Sequence, residues 1–443
     1  MNLSPDQWRA VNAIVGLRRT VMLTGDAGSG KTYVTNYCVQ QLESRGVRVF
    51  RAASTGLAAS HINGETAYRV FGIVPTESGP ELRSRVPRRV APGQDALFVI
   101  DEISMLRVDV LHAIDARLRL WGDPSAPWGG YQMLFVGDFE QLPPVVRGRE
   151  AASVRRIGGD ASGYAFRHPL WPDVTSIVLT TVHRQADDEQ TFKRVLNDVR
   201  YGRVSDRSVD WMNRNFKRGP APRGVIRLCN TRRQAARCNA VLMPKGAVRV
   251  FTATATGSYR RDVEQKMWGD LPMPYEVSLI EGSRVMCKAN IPGTDIVNGD
   301  LGTLLGFVEG ACYVQFDRHG PKVVEPQTTN RIEGLRPSET EVDEEGSPAM
   351  VPEISGSYEQ VPLIPAHAIT IHASQGLSLP AAEISMDPAH NFSPSGLLYV
   401  ALSRVETLSG VYLSYPLKRE MFRRSPAVAK ESRRILATSR VAR

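Results

Sequence analysis

The sequence predicts an α/β protein built on parallel sheets, in two lobes, with a smaller β-rich body inserted in the second. Three observations lead there. Short apolar runs alternate with helical stretches through the first 180 residues, the pattern of a parallel sheet covered on both faces. A second such series opens near 225–229 and resumes at 366–371. Between the two, over 246–358, helical periodicity fades and short β-type segments separated by turn residues take over.

In chain order, a strand is expected over 20–24 and a helix over 32–43. The residues joining them are Gly25-Asp26-Ala27-Gly28-Ser29-Gly30-Lys31-Thr32. This is G-x-x-x-x-G-K-[ST] between a strand and a helix, a loop that holds a nucleotide's phosphates. Its glycines let backbone N–H groups point inward at the anion. Lys31 is placed for the β- and γ-phosphates, Thr32 for Mg²⁺, and the helix adds its positive N-terminal end. Further strands are expected over 47–53, 96–100, 133–136 and 177–180, with a helix over 107–120. Asp101-Glu102 closes the apolar run 97–100. A strand end there delivers the first carboxylate to the magnesium shell, and the second is placed to orient or deprotonate an attacking water. The run 137–144, Gly-Asp-Phe-Glu-Gln-Leu-Pro-Pro, follows the strand at 133–136. Its two prolines give a rigid strand exit. Gln141 in it is suited to touch a γ-phosphate or the water, and the same residues read equally well as a strand-terminating turn.

An insertion over 72–96 carries Arg83, Arg85, Arg88 and Arg89 among Pro75, Pro80, Pro87 and Pro92. The second parallel series takes in 225–229, 366–371, 382–386 and 411–414. Between its parts, segments at 248–252, 284–287, 301–307 and 312–316 read as a small β-barrel-like body. The acidic residues Glu339, Glu341, Asp343, Glu344 and Glu345 read as a solvated loop.

A chain of 443 residues with 42% hydrophobic and 23% charged residues is of ordinary globular composition and has room for two or three domains. The formal net charge of +9 favours an anionic partner, nucleic acid foremost. The arginine-rich insertion and the basic tail from Lys418 onward are candidates for phosphate contact, as well as simple solvated faces. Five scattered cysteines without C-x-x-C argue against a disulfide framework and a zinc cluster, and for a reducing compartment. No apolar run approaches membrane-span length and the first residues lack a leader pattern. The expectation is a cytoplasmic protein of a bacterial or phage-infected cell, with no membrane partner.

The motifs taken together resemble the superfamily 1B DNA helicases of the Pif/RecD-like family, which includes the small phage helicase Dda. Leu3-Ser4-Pro5-Asp6-Gln7 with Ala10-Val11 is similar to the adenine-reading Q motif. Ser54-Thr55-Gly56-Leu57-Ala58-Ala59 and Ile62-Asn63-Gly64-Glu65-Thr66 resemble the motif that grips single-stranded DNA. Ile100 to Leu106 resembles the family's Walker B, and Trp128 to Gln132 leading into 137–144 resembles motif III. Arg184-Gln185 resembles motif IV, Ala368 to Gly376 motif V, and Tyr399 to Arg404 motif VI.

The resemblance implies two RecA-like domains. The first covers 1–175, with an insertion over about 67–96 that should carry a strand-separating hairpin. The second covers 176–245 and 359–443, with an SH3-like β insertion over 246–358. It implies ATP and Mg²⁺ as cofactors, with Gln7, Gly25, Ala27, Gly28, Ser29, Gly30, Lys31, Thr32 and Gly376 around the nucleotide and Thr32 and Asp101 on the metal. Catalysis would rest on Lys31, Asp101, Glu102 and Gln141. Arg184 and Arg404 are the candidates for sensing the γ-phosphate from a second rigid body, a role worth about 10³–10⁵ in rate. DNA would meet Thr55, Gly56, Thr66, Tyr68, Pro143, His372 and Ser374. The implied activity is ATP-dependent 5′-to-3′ unwinding of duplex DNA from a single strand, with forked duplexes as substrates. A monomer should suffice, with replication or recombination proteins as its company.

Three departures stand out. Ala373 occupies a position where the family usually has lysine, so one positive charge is missing from the expected DNA track. Tyr68 replaces a common histidine and offers a face for base stacking. The insertion 72–96 contains no aromatic residue for a wedge. Two other readings therefore stay open: a single-strand translocase that displaces proteins with little unwinding, and a non-enzymatic ATP-switched DNA-binding subunit.

Overall fold

The computed structural model describes residues 3–26, 28–83, 94–180, 187–342, 348–387 and 395–441. The chain forms two units. One comprises Met1–Ala186, Ile332–Glu353 and Arg424–Arg443; the other comprises Asp187–Arg331 and Ile354–Arg423.

The first unit begins with α1 (Pro5–Val11), then β1 (Val21–Gly25), α2 (Lys31–Glu43), β2 (Arg48–Ala53), α3 (Gly56–His61), β3 (Glu65–Thr66) and α4 (Ala67–Val70). A hairpin of β4 (Ile73–Thr76) and β5 (Gly79–Leu82) follows, then β6 (Ala96–Asp101), α5 (Val108–Trp121), β7 (Gln132–Val136), α6 (Ala151–Gly158) and β8 (Thr175–Leu179). The main sheet runs β3-β2-β6-β7-β1-β8 and is parallel throughout. Alternation decides which side chain goes where. Met22, Phe98, Ile100, Met133 and Phe135 point into one core with Phe50, Phe71 and Trp121. Val21, Leu23, Leu97, Val99, Leu134 and Val136 point into the other, with Val34, Cys38 and Leu42 of α2. Burial on both faces is what the unbroken apolar runs required.

The second unit contains α7 (Asp187–Arg200), α8 (Asp206–Asn215), β9 (Lys217–Arg218), β10 (Ile226–Cys229) and α9 (Arg232–Leu242). A β-rich stretch follows: β11 (Arg249–Thr252), β12 (Thr254–Ala255), α10 (Gly257–Glu264), β13 (Glu276–Leu279), β14 (Arg284–Cys287), β15 (Leu301–Val308), β16 (Ala311–Phe316) and β17 (Gly320–Val324). Next come the long strands β18 (Gln327–Val342) and β19 (Pro348–Gln360), then β20 (Leu363–Pro365), β21 (Ala368–Thr370), β22 (Ala382–Ser385), α11 (Leu397–Ser403) and β23 (Val411–Leu413). The last helix, α12 (Pro426–Val441), belongs to the first unit. A second parallel sheet runs β21-β10-β22-β23-β9. The inserted body is antiparallel, with the order β17-β16-β15-β14-β20 over its own core of Val285, Leu304, Val314 and Phe316. The two parallel sheets are the RecA-like layers the resemblance implied.

The expected boundaries need correction at three places. The division at 175/176 cuts β8, which pairs with β1 through five residues, Val21–Gly25 against Thr175–Leu179. The tail assigned to the second domain instead returns to the first: α12 buries Val428 and Ile435 in the first core, and Glu431 accepts from Trp171 Nε1 at 2.9 Å. Residues 332–353, placed in the insertion, also group with the first unit, where Glu77 N donates to Ile332 O at 3.2 Å. The acidic residues Glu339 and Glu341, expected in a loop, are exposed positions of β18. Asp343, Glu344 and Glu345 lie outside the described residues.

Candidate nucleotide and DNA site

The order β6-β7-β1 places the carboxyl ends of three strands side by side, the edge of a parallel sheet where ligands bind. β1 delivers the phosphate loop. Gly28 and Gly30 have φ of 75° and 84°, the left-handed region that favours glycine, and Gly30 caps α2. Lys31 Nζ donates to Gly25 O at 2.9 Å and Asp26 O at 3.2 Å, folding its ammonium back over the loop. Gln7, buried in α1, donates through Nε2 to Ser29 O at 3.3 Å, while its Oε1 accepts from Ser4 N at 3.0 Å. A Cβ on Gly30 would lie 2.9 Å from Gln7 Nε2, so the Q-motif glutamine and the loop are mutually fitted. Asp6 accepts from Thr180 N at 2.6 Å and pins α1 beside the end of β8. Ser29 Oγ is buried without a protein partner. Ala27 lies outside the described residues.

β6 delivers Asp101 and Glu102. Glu102 has φ 49° and ψ 47°, a left-handed conformation that costs a non-glycine residue on the order of 1 kcal/mol. Such strain persists where function holds it in place. Glu102 N donates to Asp101 Oδ1 at 2.9 Å. Burial pushes the Asp101 carboxyl up, the neighbouring Glu102 charge pushes it further, and the Glu102 N–H and Lys31 pull it back. Two carboxylates and one lysine at a half-buried strand end want a divalent cation. Together with the glycine cradle and the orphaned Ser29 hydroxyl, this donor set fits a Mg²⁺-nucleotide.

β7 delivers the loop 137–144 between these two. Gly137 N donates to Leu23 O at 3.2 Å, and a Cβ there would sit 3.0 Å from Ile103 N. Asp138 organises the turn, accepting from Glu140 N at 3.1 Å through Oδ1 and from Gln141 N at 3.0 Å through its carbonyl. Gln141 and Pro143 are half-buried on this loop. Trp128, by contrast, belongs to the core: it adopts φ 55°, takes Asp115 Oδ1 at 2.7 Å on its N–H, and packs on Phe135 and His168.

β2 leads to the DNA-grip block. Thr55 caps α3, accepting from Ala58 N at 3.2 Å, and Gly56 is buried. Asn63 and Gly64 turn the chain so that Thr66 pairs in register beside Ala53. A Cβ on Gly64 would meet Arg51 O at 2.4 Å, so that turn demands glycine. Tyr68 is half-buried against the first core. Burial raises its hydroxyl pKa; Arg107 lowers it, and Asp109 and Glu150 raise it. It is thus a packed side chain rather than an open stacking platform.

In the second unit the carboxyl ends of β10 and β21 are neighbours, Cys229 beside Thr370. Thr370 Oγ1 accepts from Ala373 N at 3.3 Å and caps a short 3-10 turn, Ile371–Ser374. Ser374 is fully buried and its hydroxyl donates to Ile371 O at 2.8 Å, so it shapes the turn rather than offering its oxygen outward. His372 is half-buried and held below its ordinary pKa, first by burial and then by the Arg232 charge. Lys288 is lowered by the same two causes. Arg232, an exposed residue opening α9 after the Thr231 cap, acts electrostatically on both, a proximity that sequence reading missed. Gly376 has φ 85°. Arg404 ends α11 and donates through Nη1 to Leu377 O at 3.2 Å, tying motif VI to motif V. Arg184 lies outside the described residues, as do residues 84–93 of the expected wedge segment; the described part of that insertion is the β4–β5 hairpin. Among the described residues no helix is long and apolar enough to cross a membrane, and no cluster of three metal-ligating side chains occurs.

The geometry agrees with what comparison finds. Residues 2–210 match the model of the PIF1-like helicase family. The ATP-dependent DNA helicase PIF1 of Mus musculus is 30% identical over 423 residues, covering 92% of this chain and 59% of that protein. The chain spans between 59% and 65% of the length of the first curated relatives it matches. A Bacteroides Pif1 helicase solved in complex with ADP-AlF3 and ssDNA is 28% identical, with a TM-score of 0.80 over 99% of this chain and 98% of that one. A Pif1 structure addressing DNA unwinding at forked dsDNA by two coordinating helicases is 28% identical, with a TM-score of 0.78 over 99% and 98%. Over residues 2–210 the chain matches the PIF1-like helicase family, and over nearly all of its length it is similar to Pif1 helicases.

Proposed function

We propose that the chain is an ATP-dependent DNA helicase that moves 5′ to 3′ on a single strand and opens forked duplexes. The observation that carries this is the convergence of Lys31, Ser29, Asp101 and Glu102 at one sheet edge, beside a loop bearing Gln141. Phosphates would lie in the backbone cradle of 25–30, with Lys31 released from Gly25 O to meet them. Thr32 and Asp101 would hold Mg²⁺, which shields the phosphate charge when bound. Glu102 orients the water and takes its proton. Gln7 reads the base. Arg404 senses the γ-phosphate from the second unit, and Arg184 shares that role. Thr55, Gly56 and Thr66 on one unit, and His372 with the turn built by Ser374 on the other, grip DNA phosphates, with Arg232 and Lys288 adding charge. Pro143 borders the track. One chain carries both lobes, so a single copy can translocate, and two could act in concert at a fork.

The test is hydrolysis with and without single-stranded DNA, followed by unwinding of forks with a 5′ or a 3′ tail. DNA-stimulated hydrolysis and opening from the 5′ tail are expected. A hydrolysis rate indifferent to DNA would sink the motor reading; opening from the 3′ tail would sink the polarity.

A further inference from the structure

Glu140 sits one residue before Gln141, and its side chain is buried. It accepts from Arg424 Nε at 2.9 Å through Oε2, and from Arg424 Nη2 and Ser432 Oγ through Oε1, the serine at 2.5 Å. A bidentate guanidinium–carboxylate pair fixes orientation as well as distance. Phe139 on its other side packs edge-on to Phe166 and Trp171. The loop that carries Gln141 is therefore clamped between the core and the chain's tail. Arg424 is the first residue of that tail, and Arg423 is the last of the second unit. Within the second unit, Arg423 O accepts from Gly396 N at 3.1 Å, and Gly396 caps α11, the helix that ends on Arg404. Consecutive residues are thus anchored, each inside its own unit, to the start of the Arg404 helix and to the loop of Gln141. The peptide between them joins the two.

We propose that the Glu140–Arg424 pair is a positioning device that passes displacement of α11 along the chain to the 137–144 loop, so that DNA engagement sets the place of Gln141. The proposal rests on the motor reading above. A carboxylate at 140 and an arginine at 424 are needed together, because either alone leaves a charge unpaired in a largely dry site.

The test uses the full chain with Arg424→Gln, Glu140→Gln and, as the conservative form, Arg424→Lys. Amide hydrogen exchange is read at 139–142 and along α12, together with Tm, ADP affinity, and kcat and KM for ATP with and without single-stranded DNA. In the two glutamine variants, exchange at Glu140 and Gln141 should rise at least tenfold while α12 and Tm hold. ADP affinity and DNA-free turnover should stay within twofold, while DNA-stimulated kcat falls at least tenfold at unchanged KM. Arg424→Lys should recover part of both losses. Unchanged exchange at 140–141, or loss of protection spread through α12, would overturn the proposal whether or not the chain hydrolyses ATP. Local loosening with full DNA stimulation would overturn the coupling. A native chain whose hydrolysis ignores DNA, yet whose variants loosen locally as stated, would refute the motor reading and support the contact's hold on the loop.

Discussion

A side chain at Gly25 would place its Cβ 2.5 Å from Leu179 O and 2.7 Å from Ser29 Oγ. The carbonyl belongs to a paired strand and cannot give way, so Gly25→Ala must shift the phosphate loop or part β1 from β8. Isothermal titration should find ADP affinity lowered at least tenfold. Lys31→Ala removes the loop's only ammonium and should abolish hydrolysis, as read by phosphate release. Glu102→Gln keeps the shape and the left-handed turn but removes the base; ATP should remain bound while turnover falls about 10²–10⁴-fold. Tight ATP with residual turnover above a tenth of native would count against Glu102 as the base. These residues were legible in the sequence because their chemistry is local: eight consecutive residues make the cradle, and two make the carboxylate pair. Glu140 was not, since its partner lies 284 positions away. Arg232 was equally hidden, one arginine among many until β10 and β21 put it beside His372.

Elements explain why boundaries were harder to read than strands. The apolar runs predicted β1, β6, β7 and the parallel order, because burial on both faces leaves its mark in every residue. Nothing in α12 marks it as a first-unit helix: its amphipathic face fits any core, and only the contacts of Val428, Ile435, Glu431 and Ser439 reveal which. The join between α5 and the segment before β8 makes a pH prediction. His168 Nδ1 accepts from Leu170 N at 3.3 Å, which leaves Nε2–H to face His112 Nδ1 at 3.4 Å. Burial first, then the His112 and Arg119 charges against the opposing Asp115, bring His168 down to about 4. A histidine whose folded pKa is depressed binds its proton more readily when unfolded. Its contribution is therefore full above pH 6.5 and is lost as pH falls toward 4, about 3 kcal/mol at most. Urea midpoints followed by tryptophan fluorescence at pH 7.5 and 5 should drop more in the native chain than in His168→Gln. Equal drops would show that the pair carries no linkage.

For the whole molecule, a net charge of +9 says that DNA will be attracted, but not where. The missing lysine at Ala373 suggested a weaker grip on that side of the track. The structure places Arg232 within electrostatic reach of His372 and of Lys288, so α9 brings a positive charge to the motif V turn that lacks its own. If Arg232 neutralises one phosphate, Arg232→Ala should weaken single-strand binding without regard to sequence and reduce the slope of log K against log salt by about 0.7. ADP affinity and DNA-free hydrolysis, which depend on the first unit's loop, should not change. Fluorescence anisotropy of a labelled oligonucleotide across a salt series measures both quantities. A fall in affinity with an unaltered slope would mean that Arg232 acts by shaping α9 and not by meeting a phosphate. An unaltered affinity would leave Ala373 as an uncompensated loss, and Ala373→Lys should then tighten binding on its own.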